Sequence, residues 1–271
     1  MSGFVTAREI VGRIQRDVGS RGVEWAATTV DTFKAGDPDR TVTGIATTWM
    51  ATSGTIRAAA DSACNFLITH EPTFWNHLDV HPDWHEGDPY YLAKSKLIEQ
   101  TGMTIWRFHD HNHSGFDPDP VMWALFAKLG VVETTTNGGM FRWVSRVPEM
   151  SLRQLAEYVA RSLGTNNVRV VGDPDLPVRS FGLGGHNLDS CLMGNEDADA
   201  VLVGEVREWD TFEYYRDASI LGIKRGLIVI SHRDLETWGA GALANWLARV
   251  VPEVPVVAVQ GADPFELLRA S

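Results

Sequence analysis

Ile105-Trp106-Arg107-Phe108-His109-Asp110-His111-Asn112-His113 is an apolar, β-forming run that ends abruptly in a cluster of side chains suited to metal binding or proton transfer. Two more runs end the same way. One is Asn65-Phe66-Leu67-Ile68-Thr69-His70-Glu71. The other is Gly226-Leu227-Ile228-Val229-Ile230-Ser231-His232, followed by Glu236. Short, continuously apolar runs read as strands buried on both faces. Open α/β sheets place their ligands at strand ends. Imidazoles and carboxylates converging there meet the needs of a dinuclear metal site.

Outward from these runs, strands alternate with helices. Thr6-Ala7-Arg8-Glu9 fits a capping box, and Ile10, Ile14 and Val18 continue at helical spacing, which predicts a helix over 6–18. Ser53–Ala63 predicts a helix feeding the strand that ends at His70. The stretch from Glu71 to Asp88 is rich in His, Trp, Pro and Asp without a period and reads as a loop. Asp88-Pro89 predicts an N-cap and first helical position, with a stop near Gly102, and Asp119-Pro120 opens another helix that ends near Gly130. Further helices are expected over Ser151–Leu163, Asp210–Leu221 and Ala240–Val250. Further strands are expected at Val42–Ala46, Met103–His109, Met140–Val147, Val168–Val171, Val178–Leu183, Ala200–Glu205 and Val254–Val259. This alternation indicates an α/β fold with buried, mostly parallel sheet.

A faint internal repeat accompanies it. Asp61 to Glu71 and Asp197 to Glu205 each run from an acidic helix end, through an apolar strand, to Glu. Each is followed by a helix and a strand ending in His, with a second candidate ligand four residues on: His113 after His109, and Glu236 after His232. Duplication of a half-domain is therefore expected, with one half over 1–135 and the other over 136–271. The C-terminal helix and strand are free to return to the first half.

Composition limits the partners. The chain has 271 residues, 44% hydrophobic and 22% charged, as an ordinary globular protein does, and a formal net charge of −11. That charge argues against nucleic acid or an anionic membrane as the main partner. A phosphorylated small molecule stays open, because a bound divalent ion reverses the local field. No apolar run approaches the ~20 residues of a membrane span, and the N-terminus has no signal-peptide core. With only Cys64 and Cys191, far apart in sequence, the expectation is a cytoplasmic protein with reduced cysteines.

The offsets of the candidate ligands are informative. Where the chain turns helical after a strand, residues i and i+4 share a face, so His232 with Glu236, and His109 with His113, can each address one centre. Five residues form the expected metal set: His70, Glu71, His113, His232 and Glu236. Three imidazoles and two carboxylates suit Zn, Mn, Fe or Ni better than Ca or Mg, and Glu236 is the candidate bridge between two ions. His109 and Asp110 compete for ligand places or orient the ligands from outside. Glu205 and Asp110 are the nearest candidate general acids or bases. His77, His81 and His85 are spaced by four, but Pro82 interrupts them, so they read as surface or entrance residues. Trp75, Trp106 and Trp238 flank the ligand stretches and are expected to pack. Gly182-Leu183-Gly184-Gly185 reads as a tight turn, and no phosphate loop, Rossmann fingerprint or Gly-x-Ser-x-Gly is present.

These residues resemble the NIF-three-like, or YbgI-type, dinuclear metal-centre proteins, often labelled GTP cyclohydrolase 1 type 2-like, over most of the chain. The family's strand ending in His-His-Pro is similar to Ile68-Thr69-His70-Glu71-Pro72, and its His-Thr-Asn-Leu-Asp to His109-Asp110-His111-Asn112-His113. Its Thr-Gly-Glu strand end resembles Val203-Gly204-Glu205, and its Gly-His-x-x-x-Glu resembles Ser231-His232-Arg233-Asp234-Leu235-Glu236. Two positions depart from the pattern: Glu71 stands for the second His, and His113 for the Asp ligand. The exchange keeps three imidazoles and two carboxylates. The resemblance implies two related α/β halves with mixed, mostly parallel sheets and a metal cleft between them. It also implies two divalent ions per subunit and a toroidal homohexamer.

The expected function is a metal-dependent hydrolase acting on a small molecule, nucleotide-like compounds included, through an activated water. The rival is a metal-binding regulatory or scaffold protein without turnover. An amidohydrolase-type barrel, whose His-x-His His109-x-His111 imitates, ranks last, because at least two strands precede it here.

Overall fold

The apolar runs that end in histidine become strands of two separate sheets. The computed structural model describes residues 4–80, 83–131, 134–136 and 143–268. In chain order it holds helix α1 (Ala7–Gly19), strands β1 (Phe33–Ala35) and β2 (Ile45–Met50), helix α2 (Ser53–Asp61), strand β3 (Phe66–Glu71) and helix α3 (Pro89–Thr101). Strand β4 (Thr104–Arg107), helices α4 (Asp110–Ser114) and α5 (Pro120–Leu129), and strands β5 (Thr134–Thr136) and β6 (Trp143–Ser151) follow. Next come α6 (Leu152–Leu163), β7 (Arg169–Val171), β8 (Pro177–Leu183), α7 (Leu188–Leu192) and β9 (Ala200–Val203). The chain closes with α8 (Glu213–Ile220), β10 (Gly226–Val229), α9 (His232–Glu236), α10 (Gly239–Val250) and β11 (Val256–Ala258). Two compact units result: Met1–Val121 with Gly239–Ala262, and Met122–Trp238 with Asp263–Ser271.

The first unit is built on a five-stranded sheet of order β1-β4-β3-β2-β11. All its pairs are parallel except β1 with β4. Side chains alternate between two cores. Phe66, Ile68, Trp106 and Phe108 pack with Ile10, Ile14, Trp246 and Leu247 from α1 and α10. Leu67 and Ile105 pack with Ile56, Leu97 and Ile98 from α2 and α3. Burial on both faces is why β3 and β4 read as unbroken apolar runs, each large side chain contributing roughly 1.5–3 kcal/mol. Helix ends follow local chemistry. Thr6 and Glu9 form the capping box of α1, and Asp88 caps α3, which stops at Gly102 in the left-handed conformation (φ 61°).

The second unit carries a six-stranded sheet of order β5-β6-β8-β9-β10-β7. Its centre, β8-β9-β10, is parallel, and the outer pairs are antiparallel. Val201, Val203, Leu227 and Val229 pack with Cys191 and Tyr215. Helix α6 starts at a capping box of Ser151 and Gln154 and buries Leu152, Leu155, Val159 and Leu163 at helical spacing.

Several element ends differ from sequence expectation, for identifiable reasons. Strand β4 stops at Arg107 because the Asp31 carboxylate accepts the N–H groups of His109 and Asp110 and turns the chain into α4. Strand β10 stops at Val229, and Ser231 caps α9 by accepting the Asp234 N–H, so His232 opens a helix rather than ending a strand. A π-helical turn at Glu208–Phe212 precedes α8. Of the strand expected at Met140–Val147, residues 140–142 lie outside the described residues, and β6 runs on to Ser151. The edge strand β1 was not among the expected strands, being only three residues long. Among the described residues no helix is long and apolar enough to cross a membrane.

Candidate metal centre

In the first unit β3 and β4 run side by side, Ile68 opposite Trp106 and Thr69 opposite Arg107. Both therefore release their C-terminal residues at one edge of the sheet. His70 lies at the end of β3, His109 just beyond β4, and His113 one helical turn later in α4. Ring centroids are 4.6 Å apart for His70 and His109, 4.8 Å for His70 and His113, and 5.0 Å for His109 and His113. One ligating nitrogen from each ring lies within 4.8 Å of the others.

Carboxylates hold two of these rings from outside. Nδ1 of His113 lies 2.7 Å from Asp119, and Nδ1 of His109 lies 2.9 Å from Asp110. An imidazole donating Nδ1–H to a carboxylate presents its Nε2 lone pair, which is the arrangement of metal-bound histidines. Burial, then the neighbouring His70 and His113, press the His109 pKa far below an ordinary imidazole and keep the ring neutral, as a ligand must be. Burial pushes the Asp110 carboxyl up, but hydrogen bonds from His109, Thr29 and Val30 outweigh it and leave the pKa at about 2.

Two further groups fix the stretch. Asp31, buried, accepts the backbone N–H groups of His109, Asp110 and His111 at 2.6, 2.9 and 2.9 Å. It thereby supplies a carboxylate to the N-terminus of α4. Arg107, wholly buried, donates Nε–H to the His70 carbonyl at 2.9 Å, Nη1–H to the His77 carbonyl, and Nη2–H to Glu71 at 3.1 Å. Glu71 thus neutralises Arg107, and its other oxygen is 3.9 Å from Nε2 of His109.

The remaining histidines separate clearly. His111 spends Nδ1 on Asp31 at 2.7 Å and accepts the Ala26 N–H at Nε2, while its ring stacks 3.8 Å from Trp25. It is a structural residue, and His109-x-His111 is not a ligand pair. The reading of His85 as a surface residue is corrected: it is buried and stacked 4.9 Å from Tyr91. His77 is exposed, with its ring edge-on 5.9 Å from His109. His81 lies outside the described residues.

The second unit holds its own group. His232 and Glu236 occupy one face of α9, with Nε2 2.8 Å from Oε2. Glu205, just past β9, places Oε1 3.5 Å from Nδ1 of His232 and 3.6 Å from Nδ1 of His186, which follows β8. The side-chain contact with His232 is the chief cause holding the Glu205 carboxyl below its usual value. Gly204 allows this convergence, since a Cβ there would lie 2.8 Å from the His232 Cα.

Of the five expected ligands, His70, Glu71 and His113 therefore belong to the first unit, and His232 and Glu236 to the second. His109 joins His70 and His113 as an equal member. The sequence reading missed Asp119, Asp31 and His186. Asp119 carried a signal as the carboxylate six residues past His113, but it was read only as a helix start. The donor set fits a transition-metal ion: imidazoles dominate, and two of them already have outer carboxylates.

Comparison with known proteins agrees with this architecture. The model of the Duf34/NIF3 (NGG1p interacting factor 3) family matches residues 25–264. Among solved structures, Staphylococcus aureus hypothetical protein SA1388 superposes with a TM-score of 0.76 at 17% identity, over 98% of this chain and 100% of its own. A Bacillus cereus protein related to NIF3 gives 0.75 at 14% identity, over 98% and 100%. Reduced HcgD from Methanocaldococcus jannaschii gives 0.62 at 16% identity, over 94% and 98%. These likenesses establish the fold. Among curated protein sequences none matches the chain.

Proposed function

The chain belongs to the Duf34/NIF3 family, and from that premise we propose that it binds two divalent transition-metal ions and hydrolyses a small molecule with them. The observation that carries the proposal is the convergence of His70, His109 and His113, within 4.8 Å of one another at adjacent parallel strand ends. In the first unit these three imidazoles hold an ion, with Glu71 alongside. In the second, His232 with its carboxylate partner Glu236 anchors another.

Bound divalent ions supply Lewis acidity and activate water for attack on a polarised bond. The chain's own residues do the rest. Asp119 and Asp110 fix the tautomer and aim of His113 and His109. Asp110 is thereby committed to orientation, and its low pKa makes it a poor proton acceptor near neutrality. Arg107 keeps the backbone around His70 in place through the His70 and His77 carbonyls. Nucleotide-like compounds are among the substrates the reading admits, since the ions offset the chain's net charge of −11. The working form is a closed homohexamer in the cytoplasm, consistent with two free, buried cysteines.

The test is turnover of a panel of nucleotides, esters and amides by Zn- or Mn-loaded protein. Activity that is lost in His70→Ala supports the hydrolase. Stoichiometric metal with no turnover of any substrate favours the regulatory or scaffold protein instead.

A further inference from the structure

Edge strand β1 pairs antiparallel with β4, Phe33 opposite Trp106 and Ala35 opposite Ile105, so its two-residue step meets a single step of β4. Such a bulge re-aims the side chain it carries. Phe33 packs with the core under α1 and α10, Ala35 with the core under α2 and α3. Lys34 turns to the α3 side, where its side chain is only 6% exposed, although an edge lysine ordinarily stands in water. Beside it, between β1 and α3, lies a cavity of about 420 Å³, within the range of roughly 300–1,000 Å³ usual for small-molecule sites. Phe74, Ile98 and Met103 are its buried wall, and Asp37, Arg40 and Glu99 its exposed rim. It adjoins the start of β4, whereas the histidines of the metal centre lie past that strand's end.

Charge and hydrogen bonding both point to an anion there. Lys34 Nζ stands 3.7 Å from Asp79 Oδ2, an ion pair too long for a good hydrogen bond, so its three donors lack a close acceptor among the described residues. Asp79, itself 1% exposed, also opposes the charge of buried Lys94, and its Oδ1 accepts the Phe74 N–H at 2.7 Å. Burial lowers the pKa of both amines and Asp79 raises it; Arg107 and Asp31 act on Lys34 in opposite senses. Two ammoniums against one carboxylate leave a surplus of one positive charge, which is costly to bury unpaired. Ser95 Oγ, on the same side and shielded from solvent, has no hydrogen-bond partner among the described residues, as a buried hydroxyl normally does.

We propose that this cavity binds a small aromatic monocarboxylate, with its acid group between Lys34 and Ser95 and its ring against Phe74, Ile98 and Met103. One negative charge matches the surplus, and a second would face Asp37 and Glu99 at the rim. An aromatic body suits the wall, because Phe74 and Tyr91, with centroids 5.0 Å apart and planes tilted by 51°, offer both a ring face and a ring edge. The site is independent of the metal-binding reading.

The test titrates benzoate calorimetrically into the full-length chain, with benzamide as its uncharged counterpart. Wild type takes one benzoate per chain, and benzamide binds about tenfold or more weakly, as loss of a charged hydrogen bond implies. Lys34→Met weakens benzoate by about tenfold or more. It leaves Asp79 with Lys94, so the fold is kept, and the urea midpoint checks this. Ser95→Ala removes a hydroxyl that no other group uses; it weakens benzoate about threefold at unchanged stability. His70→Ala binds benzoate as wild type does, which separates this cavity from a carboxylate held by a metal ion. The proposal is overturned if wild type does not bind benzoate, if benzamide binds equally well, or if Lys34→Met and Ser95→Ala, both folded, bind benzoate as wild type does. Loss of binding in His70→Ala alone would place the benzoate at the metal centre and overturn it as well.

Discussion

Asp119 illustrates how far the candidate centre depends on side chains that are not ligands. Its Oδ2 meets Nδ1 of His113, and its Oδ1 accepts the Val121 N–H at the start of α5. Asp119→Asn keeps the second bond and weakens the first, so zinc affinity should fall about 10–100-fold with the fold intact, as read by competition with a chromogenic chelator. Asp31→Ala should act on stability instead. It leaves the N–H groups of His109, Asp110 and His111 at the start of α4, the last of them buried, without their acceptor, a loss on the order of 3 kcal/mol in urea unfolding. The ligands themselves were legible because imidazoles at the ends of apolar runs are conspicuous. Asp31 was not, because it lies 78 residues before His109 and its role exists only in the folded chain. Asp119 was legible as a helix start, and that sufficient explanation concealed the second role.

At the scale of elements, α3 and β1 carry the sharpest expectations. Lys94 of α3 is buried, donates to the Thr73 carbonyl, and has its amine 4.9 Å above Trp75. Burial lowers its pKa to about 8. Below that pH both native and unfolded chains carry the charge, and the native state bears the desolvation cost. Between about 8 and the unfolded value near 10.4 only the unfolded chain binds the proton, so stability should rise with pH across that window by on the order of 3 kcal/mol. Lys94→Met should remove this rise, with urea midpoints from pH 7 to 10 as the measure. Gly36, at φ 81°, follows β1 and would place a Cβ 2.4 Å from the Met103 carbonyl oxygen. Gly36→Ala should therefore cost on the order of 2 kcal/mol and lower the melting temperature. Helices with caps and periodic faces, such as α1, α3 and α6, were legible almost to the residue. Strand β1 was not, since three residues on a sheet edge leave no period to detect.

At the scale of the molecule, the α/β class was legible because buried parallel strands cannot alternate and so stand out as apolar runs between helices. The antiparallel β7 was expected almost to the residue at Val168–Val171, whereas the run of β6 on to Ser151 left no such mark, its exposed residues being mixed with apolar ones. The proposed homohexamer should give six times the chain mass in light scattering at micromolar concentration, and the monomer mass would refute it. The central claim, that the imidazoles of the first unit hold a transition-metal ion, is tested most directly by elemental analysis after reconstitution with Zn(II) and dialysis. The account predicts that His70→Ala and His113→Ala each lose one equivalent relative to wild type, while His111→Gln, altered at a structural ring, keeps its zinc to the extent that it folds. Zinc content unchanged in His70→Ala and His113→Ala, or absent from wild type, would contradict it.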